Sequence, residues 1–345
     1  MAMNRRVLAS LVLGAGLLSC RAEADTAMLR GVNLAGAEFG FDRRGRGRFG
    51  IDYTYPSPPY AQGYHSPAYF VRKGMNVFRL PFRWERLQPV RNDRFDPDEW
   101  RRLRTTVDRL KGLGATVILD PHNFARYDDR VIGSEALPNA DFADFWRRLA
   151  EYYGDDPQII FGLMTEPYDM PTEQWVEAAN EAIEAIREVG ADNLILVPGN
   201  GWSGAFSWGS SRYGTPNAEA MLEIWDPADN IAFEAHQYLD HDSSGTYPNC
   251  VSVEEAVRRM EPFTAWLEAH GKRGFLGEFG TGASPTCLAG LEAMVDHVEA
   301  NAEHYLGWTY WAAGPWWGDY FMSIEPGLWS DPPQLDVLVR YLEPD

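Results

Sequence analysis

Residues 159–167 read Ile-Ile-Phe-Gly-Leu-Met-Thr-Glu-Pro. Six residues of apolar chain, 159–164, stop at a hydroxyl, a carboxylate and a proline. A strand covered on both faces is apolar throughout rather than alternating, and its first polar residues stand where it leaves the core. The stretch therefore predicts a buried parallel strand with Thr165 and Glu166 at its C-terminal lip. A parallel strand needs a crossover to its neighbour, so the same unit should recur along the chain.

It does recur. Apolar segments at 29–34, 76–80, 116–119, 194–197, 231–235, 274–277 and 306–310 each end in polar or aromatic residues. Amphipathic segments follow at 67–73, 97–112, 141–153, 171–189, 253–269, 288–303 and 335–342, with a short helix at 218–224 after a Trp-rich loop. Asp96 and Pro97 are suited to start the second helix as N-cap and first-turn residue. Eight alternating units predict an α/β fold, a (β/α)₈ TIM barrel in a single domain over 28–345, whose chemistry gathers at the C-terminal rim.

The 345 residues carry 50 acidic and 31 basic side chains, a formal charge of −19. A surface that acidic repels nucleic acid and anionic membrane, but not a neutral polysaccharide. The leader, 1–24, has a positive Asn4-Arg5-Arg6 start and an apolar segment at 7–18. That segment is too short to span a bilayer, so it reads as a signal peptide. Leu17-Leu18-Ser19-Cys20 offers a lipid-anchor site at Cys20, and Ala22-Glu23-Ala24 offers a competing cleavage site. The expected location is secreted, periplasmic or lipid-anchored. Beyond the leader only Cys250 and Cys287 remain, and an even pair in an exported chain predicts one disulfide.

Glu166 and Glu278 end strands four and seven of the eight, which lie across a barrel from each other. Two carboxylates facing one bond suit glycoside hydrolysis, one held protonated to donate and the other ionised to attack or to activate water. No His spacing of the H-E-x-x-H kind is present, so neither metal nor cofactor is expected. Trp84, Trp202, Trp208, Trp316 and Trp317 fall in predicted rim loops, where indole faces can cover the C–H faces of sugars.

The ordered words GVNLAGAEFG, NVFRLPFRWERLQP, ILDPHNFARY, IIFGLMTEP, ILVPGNGW, EAHQYLDHDSSGT, GEFG and GWTYWAAGPWWG together resemble glycoside hydrolase family 5, the cellulases, and its endo-β-1,4-glucanase subgroup. The resemblance implies a retaining double displacement on a β-1,4-linked glucan by a monomer without cofactor. It implies that Glu166 is the acid/base and Glu278 the nucleophile. Arg79 would bond the nucleophile, His122 and Asn123 contact or orient substrate, His236 attend the acid/base, Tyr238 attend the nucleophile, and Trp311 floor the cleavage subsite. Glu234, two residues before His236, reads as a buried network residue. The chain departs from the family at Thr165, where an Asn usually bonds the sugar 2-hydroxyl, and at Tyr168, where His is common. Two other readings stay open: the same machinery acting on mannan, xylan or xyloglucan, and a glycan-binding surface lipoprotein with catalysis weakened by Thr165.

Overall fold

The computed structural model describes residues 28–41, 46–56, 66–327 and 329–342. The leader with Cys20 lies outside them. The eight anticipated strands are β1 (Leu29–Leu34), β2 (Val77–Phe82), β3 (Thr116–Pro121), β4 (Ile159–Gly162), β5 (Ile195–Pro198), β6 (Ile231–Tyr238), β7 (Gly274–Gly280) and β8 (Tyr305–Ala313). All pair in parallel with their sequence neighbours, and β8 pairs with β1 to close the barrel. Among the described residues no helix is long and apolar enough to cross a membrane.

Alternation along each strand divides the interior into two layers. Val77, Ile118, Ile160, Leu196, Ala232 and Phe275 form an apolar plug. Each falls within the first three residues of its strand. Two residues further along, the inward positions of β2, β3 and β6 turn charged: Arg79, Asp120 and Glu234, all buried. The outward positions, such as Phe78, Leu80, Leu119 and Phe233, pack against the helices in the main core.

The helices follow the pattern with shifted ends. Asp96 caps Pro97–Gly112 by accepting from the backbone N–H of Asp98 and Glu99, an arrangement typically worth about 1 kcal/mol. The helix expected over 253–269 is two, Val253–Arg258 and Glu261–His270. Pro262 has no N–H to donate and its ring clashes with the carbonyl four residues back, which breaks the run. Cys250 and Cys287 form the anticipated disulfide, tying the loop after β6 to the first turn of Pro285–Ala300.

Candidate active site

The charged layer of the barrel is organised by Arg79. Its Nη1 donates to Glu278 Oε1 at 2.7 Å and to Asn33 Oδ1 at 2.9 Å, and lies 3.1 Å from Asp120 Oδ2. Its Nη2 donates to Thr165 Oγ1 at 2.8 Å and lies 3.1 Å from Glu234 Oε1. Three buried carboxylates around one cation hold the guanidinium well above its ordinary pKa despite burial. Glu234 leaves no room for a side chain on β7. A Cβ on Gly277 would stand 2.2 Å from Glu234 Oε1, so that position accepts only glycine.

A shift in register between β6 and β7 sets His236 beside Glu278. His236 Nε2 bonds Glu234 Oε1 at 2.9 Å, and its Nδ1 bonds Glu166 Oε1 at 2.8 Å and lies 3.6 Å from Glu278 Oε2. Burial alone would lower its pKa, but Glu278, Glu166 and Glu234 overcome that and push it up to about 10. Each ring nitrogen faces a carboxylate oxygen, an arrangement that favours the doubly protonated ring, which donates to both. Tyr238 Oη donates to Glu278 Oε2 at 2.7 Å.

Glu166 stands just past β4 with φ +45°, a left-handed conformation uncommon outside glycine. Carboxylate oxygens of Glu166 and Glu278 and a nitrogen of His236 lie within 4.8 Å of one another. The two acids are driven in opposite directions. Burial, reinforced by the nearby Glu278 charge, raises the Glu166 pKa against the bond from His236. Burial would raise Glu278 as well, but the cations of His236 and Arg79 and the Tyr238 hydroxyl hold it below the usual carboxylate range. These ligand atoms form the one metal-like cluster among the described residues. Glu278 and His236 are already engaged, and a guanidinium 2.7 Å from Glu278 opposes a dication there.

His122 borders the same layer. Its Nδ1 bonds Asp120 Oδ2 at 2.9 Å, and its ring lies nearly parallel to that of Trp311, 5.3 Å away at 19°. Asp120 and Asn33, which the sequence reading did not single out, complete the shell. Asn33 Nδ2 donates to the Gly277 carbonyl at 2.9 Å. Both stand at strand lips, the position that marked Glu166. Glu38 was likewise passed over. It is buried, accepts from the Gly36 N–H at 2.7 Å, and is pushed up to about pKa 7 by burial.

Three expectations, for Asn123, Trp208 and Trp84, need correction. Asn123 does not face the cleft: Oδ1 accepts from the Trp84 N–H at 2.8 Å and Nδ2 donates to Glu85 Oε2 at 2.6 Å. Thr165, the departure from the family pattern, is fully buried, donates to Asp120 Oδ1 at 2.6 Å and accepts from Arg79, so its hydroxyl supports the network. Trp208 is fully buried against Phe263 and Trp266, 4.6 and 5.3 Å between ring centres, and offers no face to a sugar. Trp84 is buried among Tyr127, Phe142 and Phe145. Trp202 and Trp316 are each 40% exposed. Trp317 packs edge-on to Trp311 and stacks on Tyr320.

A cavity of about 490 Å³ opens beside Glu166 and His236, walled by Trp202, Phe206, Tyr213 and Ser243 among others. The described geometry thus joins an acidic pair, a cationic support and a flanking cavity on the C-terminal rim of a (β/α)₈ barrel. The sequence profile of the cellulases (glycosyl hydrolase family 5) matches residues 58–314. This chain belongs to glycosyl hydrolase family 5. It is a glycoside hydrolase of the cellulase kind. Among family 5 relatives, a probable endo-beta-1,4-glucanase B of Aspergillus niger is 37% identical over 314 residues, 90% of this chain and 89% of that protein. Endoglucanase 3 of Humicola insolens is 39% identical, covering 86% of this chain and 72% of its own. The endo-beta-1,4-glucanase Xac0029 of Xanthomonas axonopodis pv. citri is 45% identical in sequence, with a TM-score of 0.86 over 91% of this chain and 98% of that one. XacCel5A, solved in complex with cellopentaose, shares 45% identity and a TM-score of 0.86 over 91% and 99%.

Proposed function

We propose that this family 5 hydrolase is an exported, monomeric endo-β-1,4-glucanase that retains anomeric configuration by double displacement. Glu278, ionised, attacks the anomeric carbon while Glu166, protonated, donates to the departing glycosidic oxygen. A covalent glycosyl-enzyme forms. Glu166, now ionised, takes a proton from water, which attacks the same carbon and releases Glu278. The observation that carries this reading is that one carboxylate oxygen of Glu166 and one of Glu278 lie within 4.8 Å of each other, so that both acids reach a single bond. Between carboxyl groups, holding a water takes roughly 6.5–9.5 Å and direct attack about 5–5.5 Å, and the close approach of the oxygens favours direct attack. The opposed pKa shifts support these roles within the pair. The names of the relatives and the cellopentaose complex support the glucan backbone as substrate.

The test is reducing-end release from carboxymethylcellulose, mannan and xylan, with NMR of the first product formed. The expected result is fastest release from carboxymethylcellulose and the β-anomer first. First appearance of the α-anomer overturns the double displacement. A preference for mannan or xylan overturns the glucan assignment, and binding without turnover returns the protein to a glycan-binding role.

The pH dependence of kcat/KM follows from the same pair. Activity needs Glu278 ionised, so it rises with pH through a value below the ordinary carboxylate range of about 4.3. It also needs Glu166 protonated, so it falls as pH passes a value above that range. The expected profile is a bell, its acid limb set by Glu278 and its alkaline limb by Glu166. Removing the acid with Glu166→Gln should abolish the alkaline limb for a substrate with an activated leaving group. Persistence of that limb would mean that another group sets it.

A further inference from the structure

The wall of the cavity beside Glu166 is anchored from outside the catalytic shell. Trp202 presents an indole that is 40% exposed into that cavity. Behind it, the ring of Tyr168 lies parallel at 4.9 Å and 9°. The Arg126 guanidinium sits 4.0 Å from the Tyr168 ring centre. Guanidinium, Tyr168 ring and indole therefore form one continuous column of contacts. Backbone contacts lock the same groups. Arg126 Nη2 donates to the Tyr168 carbonyl at 3.1 Å, and its Nη1 donates to the Phe124 carbonyl at 2.7 Å. The Trp202 N–H donates to the Pro167 carbonyl at 3.0 Å, next to Glu166. Phe124, Ala125 and Trp202 all have positive φ, so both loops are held in conformations they would not hold alone.

We propose that Arg126 is a positioning residue which, through Tyr168, fixes Trp202 as the stacking platform for the sugar on the leaving-group side of the scissile bond. The inference rests on Glu166 being the acid, because that assignment makes the cavity beside it the leaving-group side. Arg126 touches no substrate. Its cation holds the electron-rich Tyr168 face, and its two carbonyl contacts set the height of the ring on which the indole rests. An indole so held presents a flat apolar face at little entropic cost to the ligand.

The experiment compares Arg126→Ala, Trp202→Ala and the double variant on two substrates. Cellotetraose fills both sides of the site. β-Cellobiosyl fluoride places only a fluorine on the leaving-group side. Each single variant is expected to raise KM for cellotetraose roughly three- to tenfold, the range of one cation–π or stacking contact, with kcat within about twofold. The double variant should be no worse than Trp202→Ala, since Arg126 acts through the indole. Values for cellobiosyl fluoride should stay within about twofold for Arg126→Ala, a site that touches no substrate. Tyr168→Phe should match the wild type and Tyr168→Ala should match Arg126→Ala, because the ring and not the hydroxyl carries the column. The phenylalanine and alanine pair decides the matter if Arg126→Ala fails to fold. Additive losses in the double variant, or an equal loss on cellobiosyl fluoride, overturn the proposal while leaving the catalytic reading intact. Failure of the wild type to turn over cellobiosyl fluoride would instead sink the catalytic reading.

Discussion

Glu278→Ala is expected to lower turnover of carboxymethylcellulose by on the order of 10⁵-fold, the scale seen when a covalent nucleophile is removed. The fold should persist, for a reason visible in the charged layer. Glu278 is one of three carboxylates around Arg79, and Asp120 and Glu234 remain at 3.1 Å from the guanidinium when it goes. The deletion also relieves repulsion between like charges in a buried cluster. Stability measured by denaturant melts should therefore stay within about 2 kcal/mol of the wild type. The variant carries its own positive control. A small anion such as azide can enter the vacated space and attack the anomeric carbon of β-cellobiosyl fluoride, giving the α-azide with loss of fluoride. Recovery of rate with that inverted product identifies Glu278 as the nucleophile. Activity within tenfold of the wild type, or no rescue by azide in a folded variant, would remove that assignment.

The parts of this molecule that were legible in its sequence are those where one physical demand dominates. A strand buried on both faces must be apolar, so its end shows as an abrupt change of residue type. Eight such ends located the barrel, and two of them located the carboxylates that the fold brings within 4.8 Å. Glu234 was legible for a similar reason, since alternation with His236 sends both inward.

What was not legible depends on where a side chain points after the strand has ended. His122 and Asn123 are adjacent, yet one ring reaches toward Trp311 and the other side chain turns back to cap the Trp84 N–H. Nothing in the dipeptide distinguishes them. Trp202 and Trp208 stand six residues apart in one loop. Trp202 is 40% exposed and Trp208 is fully buried, because Phe263 and Trp266 from a later helix claim the second indole. That partner lies more than fifty residues away, beyond any local pattern. Thr165 shows the same limit. Its shortness reads as lost reach toward a substrate, whereas the fold gives its hydroxyl to Asp120 and Arg79.

The largest effect on stability is expected at Arg79. Arg79→Met keeps much of the side-chain length and removes the guanidinium charge, leaving Asp120, Glu234 and Glu278 buried with only the His122 and His236 imidazoles beside them. Breaking a buried ion pair by deleting one partner costs about 3–5 kcal/mol, and here the two imidazoles offset the desolvated carboxylates only in part. The pH dependence identifies the mechanism. In the wild type Asp120 and Glu278 are held below their unfolded values, against burial, by Arg79 together with His122 and His236 respectively. Groups depressed in the folded state contribute stability that is present above their unfolded pKa values, about 4, and lost as pH falls through the folded ones. The variant loses the principal cation of this layer, so the penalty of Arg79→Met should be greatest near pH 7 and shrink as pH falls below about 4. Denaturant melts of the two proteins at both pH values measure this directly. Equal stability at pH 7, or a penalty that grows in acid, would show that packing rather than charge makes Arg79 necessary. Activity should fall as well, and its acid limb should move to higher pH, because a Glu278 without its guanidinium ionises less readily. Arg79→Lys should recover only part of either property. An ammonium is a compact point charge, and it cannot reach Glu278, Asn33, Thr165, Asp120 and Glu234 at once as the planar guanidinium does.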